Sequence, residues 1–136
     1  MPRQGRWKQG KGRPRHVPGV MNKTEEAYAA HLTLLRAAGE IVEFAFESIK
    51  LRLASNTWYN PDFFVQLRDG TLQAHEVKGV THAKKVDGVR GDPKELWEDD
   101  ARVKFKVAAE QHPWLQFCSV RRGTKEEGEG WVVTPL

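Results

Sequence analysis

The segment from Phe63 to Lys78 leaves this chain the fewest choices. Phe63, Phe64, Val65 and Leu67 are aromatic and branched residues suited to a buried strand. Pro61 stands at the mouth of that strand, where a missing N–H is tolerated. Asp69-Gly70 marks a hairpin turn, and residues 71–78 return as the partner strand. The loop length then decides which side chains meet. A two-residue loop at Asp69-Gly70 pairs Asp62 with Val77 and turns the Asp62 carboxylate to the wrong side. A three-residue loop, Arg68-Asp69-Gly70, places glycine in the left-handed region, pairs Leu67 with Thr71 and sets Asp62 opposite Glu76.

Around this hairpin the chain alternates between helix and strand patterns. Asn22 or Thr24 is expected to cap a helix whose first turn carries glutamates, with Tyr28, Leu32 and Leu35 as its inward stripe and Gly39 as its stop. Residues 41–53 read as one bent strand or two short ones, followed by a polar turn at Ser55 and Asn56. Residues 79–91 form a glycine- and charge-rich loop. A second helix is expected to open with Asp92 as N-cap, Pro93 in its first position and Glu95 closing a capping box, and to end near Gln111 before Pro113. Leu115, Phe117, Ser119 and Val120 make a further strand, and Trp131-Val132-Val133 closes the pattern. The order α–β–β–β–α–β predicts an α/β sandwich around a central mixed sheet.

Charge divides the chain in two. Residues 1–23 hold seven bases and no acid, together with Gly5, Gly10, Gly12, Pro2, Pro14 and Pro18, while the rest holds fifteen bases and eighteen acids. Residues 1–21 therefore read as a flexible basic arm and 22–136 as a mildly acidic globular domain. Arg3, Arg6, Lys8, Lys11, Arg13 and Arg15 are the arm's candidate DNA contacts, since a localised basic run attracts a phosphate backbone; a solubilising tail is the plainer alternative. No run approaches the about 20 apolar residues of a membrane span. The one cysteine, Cys118, cannot form an internal disulfide, which favours an intracellular protein.

The hairpin also gathers the chemistry. Glu76 and Lys78 lie two residues apart on one strand and so share a face. In the three-residue-loop register Asp62 joins them, bringing two carboxylates and an ammonium within a few ångströms. Hard divalent cations take oxygen ligands, and a neighbouring lysine can orient an attacking water. A surface Glu–Lys pair beside an unrelated turn aspartate explains the spacing nearly as well. Glu25 begins the inward stripe of the first helix, whereas Glu26 is rotated by about 100°. A core-facing acid wants a cation or a metal, although stabilisation of the helix N-terminus accounts for it almost as simply.

The pattern Asn22-Lys23-Thr24-Glu25, then Pro61-Asp62, then Glu76-Val77-Lys78-Gly79 resembles the PD-(D/E)XK nuclease superfamily. Asp99-Asp100-Ala101-Arg102-Val103-Lys104, ahead of Pro113, is similar to its small phage-encoded endonucleases and Holliday-junction resolvases. The likeness covers roughly residues 22–120. It implies a restriction-endonuclease-like fold and a metal-dependent DNA endonuclease, with branched DNA among its candidate substrates. Asp62, Glu76 and the Val77 carbonyl would bind Mg²⁺ (with Mn²⁺ substituting), Glu25 would add a direct or water-mediated ligand, and Lys78 would position the attacking water. Lys104 would face the scissile phosphate, or else be a solvated helix lysine. A homodimer follows by analogy, as does the cytoplasm of a bacterial host if the chain is phage-encoded. The rival is a non-catalytic DNA-binding or assembly module that keeps the fold.

Other residues carry weaker signals. His16, His31, His75, His82 and His112 show no zinc-ligand spacing, and His75 is expected to cover the far face of its strand. Cys118 reads as core. No phosphate-binding glycine loop followed by Lys-Ser/Thr is present, which speaks against ATP-driven action. Trp58 and Tyr59 are either core or a platform for bases. Lys84, Lys85 and Arg90 read as solvated charge, with backbone contacts to DNA as the lesser alternative.

Overall fold

The computed structural model describes residues 16–82, 86–89 and 91–136. The arm residues up to Arg15, with Trp7, and the loop bases Lys84, Lys85 and Arg90 lie outside the described residues. In chain order the elements are α1 (Lys23–Ala37), β1 (Ile41–Phe46), β2 (Leu51–Ala54), β3 (Thr57–Tyr59), β4 (Phe63–Leu67), β5 (Leu72–Val77), β6 (Val80–His82), β7 (Pro93–Glu95), α2 (Asp99–Gln111), β8 (Gln116–Arg122) and β9 (Trp131–Pro135). Among them, no helix is long and apolar enough to cross a membrane.

Five strands form the central sheet in the order β1-β4-β5-β8-β9. It is mixed: β5 and β8 run parallel, joined by the crossover that contains α2, and the other pairs are antiparallel. The fold is thus α/β around a mixed sheet, as the periodicities predict. Two two-stranded ribbons, β2–β3 and β6–β7, are added to it.

The two helices cover opposite faces of the sheet. Tyr28 and Leu32 of α1 pack with Phe63, Val65, Val77 and Val120. Phe105 and Ala108 of α2 pack with Ala74, Phe117, Tyr59 and Leu115. This division follows the period-two alternation of each strand: Phe63 and Val65 point one way, Phe64 the other. Cys118 is fully buried on the α1 side, and burial pushes its thiol up to about 11.

Helix α1 begins as its sequence demands. Asn22 accepts from the Glu25 N–H, and the Glu25 carboxylate accepts from the Asn22 N–H, closing a capping box. Gly39, at φ +76°, ends it. The second helix begins later than expected. Pro93 and Glu95 belong to β7, which pairs with β6 in the segment expected to be loop, and α2 starts only at Asp99 after Glu98. Proline is tolerated in such a short ribbon, and the Leu96 N–H bonds to the Gly79 carbonyl. In place of the expected Asp92–Glu95 capping box, α2 has no side-chain cap at Glu98 and carries Asp99 and Asp100 in its first turn.

Candidate functional site

The β4–β5 register sets the site. Leu67 and Thr71 flank a three-residue turn: the Gly70 N–H reaches the Leu67 carbonyl, the Leu67 N–H reaches Thr71, and Gly70 sits at φ +90°. Phe63 then pairs with His75, and one step further along the same register Asp62 stands against Glu76. The two acids share the α2 side of the sheet, at the end of β5. Pro61 explains why the ladder stops there. The alternation of bonded pairs would set residue 61 against Val77, but proline has no N–H to give the Val77 carbonyl. The Val77 N–H is taken instead by the Asp62 carboxylate, at 2.8 Å.

Glu76 is 8% exposed and held from two sides. The Tyr59 hydroxyl donates to its Oε2 at 2.7 Å, and the Lys78 Nζ lies 3.1 Å from its Oε1. Lys78 in turn sits 4.5 Å from the centre of the Trp97 ring, a cation–π contact that limits where its ammonium can go. Burial pushes the Asp62 carboxyl up to about 8, helped by the charges of Glu76 and Glu25 and opposed by the Val77 N–H and Lys78. Burial raises Glu25 as well; its cap bond to Asn22 lowers it, and the charges of Glu47 and Glu76 raise it. Tyr59 is held well above the ordinary phenol range by burial and by its bond to Glu76.

Several neighbours have no marker in the sequence. Glu47 follows β1 with φ +45°, and its N–H bonds to the Asp62 carbonyl at 2.8 Å. Its carboxylate takes the Gly19 N–H at 2.7 Å and the His16 Nε2 at 3.1 Å. Tyr59 is core and a partner of Glu76 rather than a base platform, whereas Trp58 is 43% exposed with the Lys50 ammonium 5.2 Å from its ring centre. The one available signal was the Trp58-Tyr59 pair just before Pro61. Trp97 and Glu95 reach the site through the β6–β7 ribbon. The Glu95 carboxylate accepts from the Ser119 hydroxyl and the Trp97 indole N–H, both at 2.8 Å.

One expectation needs correction. His75 does not merely cover a strand face; it is buried, with its Nδ1 2.6 Å from the Tyr28 hydroxyl and its Nε2 2.8 Å from Gln73 Oε1. Lys104 is half-buried on α2, whereas Arg102 and Lys106 are exposed and line a cleft beside that helix. Arg102 and Lys106 are one helical turn apart, while Lys104 is rotated by about 200° from Arg102.

The donor chemistry suits a hard cation: carboxylates drawn together out of water, with the Glu76 charge raising both Asp62 and Glu25, and a backbone carbonyl that Pro61 cannot bond. As arranged, however, no group of three or more His, Cys, Asp or Glu side chains among the described residues could hold a metal ion. Each acid is turned to a protein partner: Asp62 to Val77, Glu76 to Tyr59 and Lys78, Glu25 to its own helix cap. Compared with known proteins, the chain matches no family model, no curated protein and no solved structure.

Proposed function

We propose that the chain is a metal-dependent deoxyribonuclease of the PD-(D/E)XK kind, hydrolysing phosphodiester bonds within DNA, branched DNA included. The observation that carries this reading is Asp62 beside Glu76 at the open end of a buried ladder, with Lys78 on Glu76. With Glu76 buried and Asp62 half-buried, the two carboxyls resist ionising together beside one ammonium. Asp62, Glu76 and the Val77 carbonyl would hold Mg²⁺ or Mn²⁺, with Glu25 turning from its cap to add a ligand. When bound, the ion supplies the charge that polarises a phosphoryl oxygen. Lys78, restrained between Glu76 and Trp97, orients the attacking water. Tyr59 fixes the Glu76 carboxylate from the opposite side. A homodimer acting inside the cell belongs to the same proposal.

A second reading has its own support. Every acid already has a protein partner, which favours a non-catalytic DNA-binding module. One experiment separates the two: purified chain and Lys78→Ala are assayed with Mn²⁺ or Mg²⁺ on linear, nicked, flapped and four-way DNA, beside a calorimetric Mn²⁺ titration. The nuclease reading expects cleavage by the wild type, and metal binding with cleavage about two to four orders of magnitude slower in Lys78→Ala. DNA binding with neither cleavage nor Mn²⁺ heat would establish the second reading.

A further inference from the structure

One strand across the sheet from Glu76 lies a cleft of about 420 Å³ between β7, α2 and the strands β8 and β9. Its size is that of a small-molecule site and exceeds what a bare anion requires. Four cationic side chains line it, Lys94, Arg102, Lys106 and Arg121, against one acidic side chain, Glu95, with Leu136 also in the wall. That acid is already bonded to Ser119 and Trp97, and Arg121 is held by Glu127 in a two-bond fork at 2.7 and 2.8 Å. Among the described residues, no carboxylate pairs with Lys94, Arg102 or Lys106.

Like charges converging on a cleft repel one another until an anion enters between them. Arg102 and Lys106 stand four residues apart on α2, where like charges repel. The cleft also has an aromatic side, formed by Trp97 and Phe105 with ring centres 5.1 Å apart. Cations beside aromatic rings match a phosphate joined to a base.

The position of the cleft ties it to the acids. Ser119, in its wall, is the register partner of Glu76 on the neighbouring strand. Trp97, also in its wall, carries the Lys78 ammonium on its ring. We propose that this cleft binds one nucleotide of the DNA strand next to the bond held at Asp62 and Glu76, its phosphate on Arg102, Lys106 and Lys94 and its base beside the half-buried Trp97, which Phe105 backs from the core. In naming DNA this rests on the nuclease reading; the binding chemistry stands without cleavage.

The test is fluorescence anisotropy of a short labelled single-stranded oligonucleotide, titrated with the full chain in EDTA so that cleavage plays no part. Arg102→Gln/Lys106→Gln should bind about tenfold more weakly, with a salt slope lower by about 0.7 for each phosphate no longer neutralised. Arg68→Gln/Lys125→Gln removes the same charge from exposed positions elsewhere and should change affinity less than about twofold. A deoxynucleoside monophosphate should displace the oligonucleotide where inorganic phosphate at equal concentration does not. Equal weakening in the two double variants, or equal displacement by phosphate, would overturn the proposal. Absence of cleavage by the wild type would defeat the nuclease reading and leave this result standing.

Discussion

The β4–β5 ladder buries polar groups on both faces, and it does so in opposite ways. Towards α1, Tyr28, His75 and Gln73 form a neutral chain. Burial pushes His75 down to about 4, so its ring is uncharged near neutrality. Its Nε2 then donates to Gln73 Oε1 and its bare Nδ1 accepts the Tyr28 hydroxyl. Burial likewise holds Tyr28 well above the ordinary phenol range. Towards α2, Asp62 and Glu76 are acids whose charges oppose each other, with Lys78 as the paired cation. Both faces satisfy their hydrogen bonds, and no buried side-chain nitrogen or oxygen among the described residues lacks a partner. Buried polarity therefore does not mark a site. A pair of acids that cannot both ionise beside one ammonium does, because their joint ionisation is stabilised only by something the fold does not itself provide.

The largest effect that could break this contrast is on cleavage. Asp62→Ala and Glu76→Ala should each lose Mn²⁺ binding, and cleavage should fall by about two to four orders of magnitude. Tyr28→Phe should cleave DNA within about twofold of the wild type, because it lies on the other face. Equal reductions in a metal-dependent cleavage assay would abolish the distinction between the faces.

Stability should respond the other way round. His75→Leu leaves the buried Tyr28 hydroxyl without its acceptor and should cost about 1–3 kcal/mol in urea unfolding. Asp62→Asn keeps an acceptor for the Val77 N–H and removes a repelled charge. In EDTA at alkaline pH it should be at least as stable as the wild type. A destabilisation like that of His75→Leu would mean that the acids are mutually compensated after all.

Two groups contribute to the pH dependence with opposite sign. His75 has a folded pKa below its unfolded value of about 6.5, so its contribution is complete above that pH and lost as pH falls towards about 4. Asp62 has a folded pKa above its unfolded value of about 3.9, so its contribution is complete below that pH and lost as pH rises towards about 8. The two offset each other between about pH 4 and 6.5, so across that window denaturant midpoints should fall with rising pH in His75→Leu and rise with it in Asp62→Asn.

The smallest effect concerns neither face. Deleting residues 2–15 removes Arg3, Arg6, Lys8, Lys11, Arg13 and Arg15 while leaving His16 on Glu47. The salt slope of duplex binding should fall by about 0.9 for each phosphate the arm had neutralised, with the rate at saturating DNA unchanged. An unchanged slope would make the arm a solubilising tail.

The sequence alone determined what depends on near neighbours in the chain. Asn22 and Glu25 cap one another across three residues, Gly39 and Gly70 take backbone conformations that side chains resist, and alternating apolar residues choose the face each strand buries. The register that sets Asp62 against Glu76 was one of two those elements allowed, and the three-residue turn seen at Arg68-Asp69-Gly70 decided it. The local rule failed at Asp92, Pro93 and Glu95, which have the spelling of a helix start but form a strand. There, pairing with residues 80–82 and the Glu95 bonds to Trp97 and Ser119 outweigh a capping preference of about 1 kcal/mol. Only the tertiary structure decided that Tyr59 would hold Glu76, that Glu47 would reach the Asp62 backbone, and that Trp97 would steady Lys78. Those contacts join segments whose separation in the chain carries no periodic signal, and they exist because the sheet order and its added ribbons bring them to one end of β5.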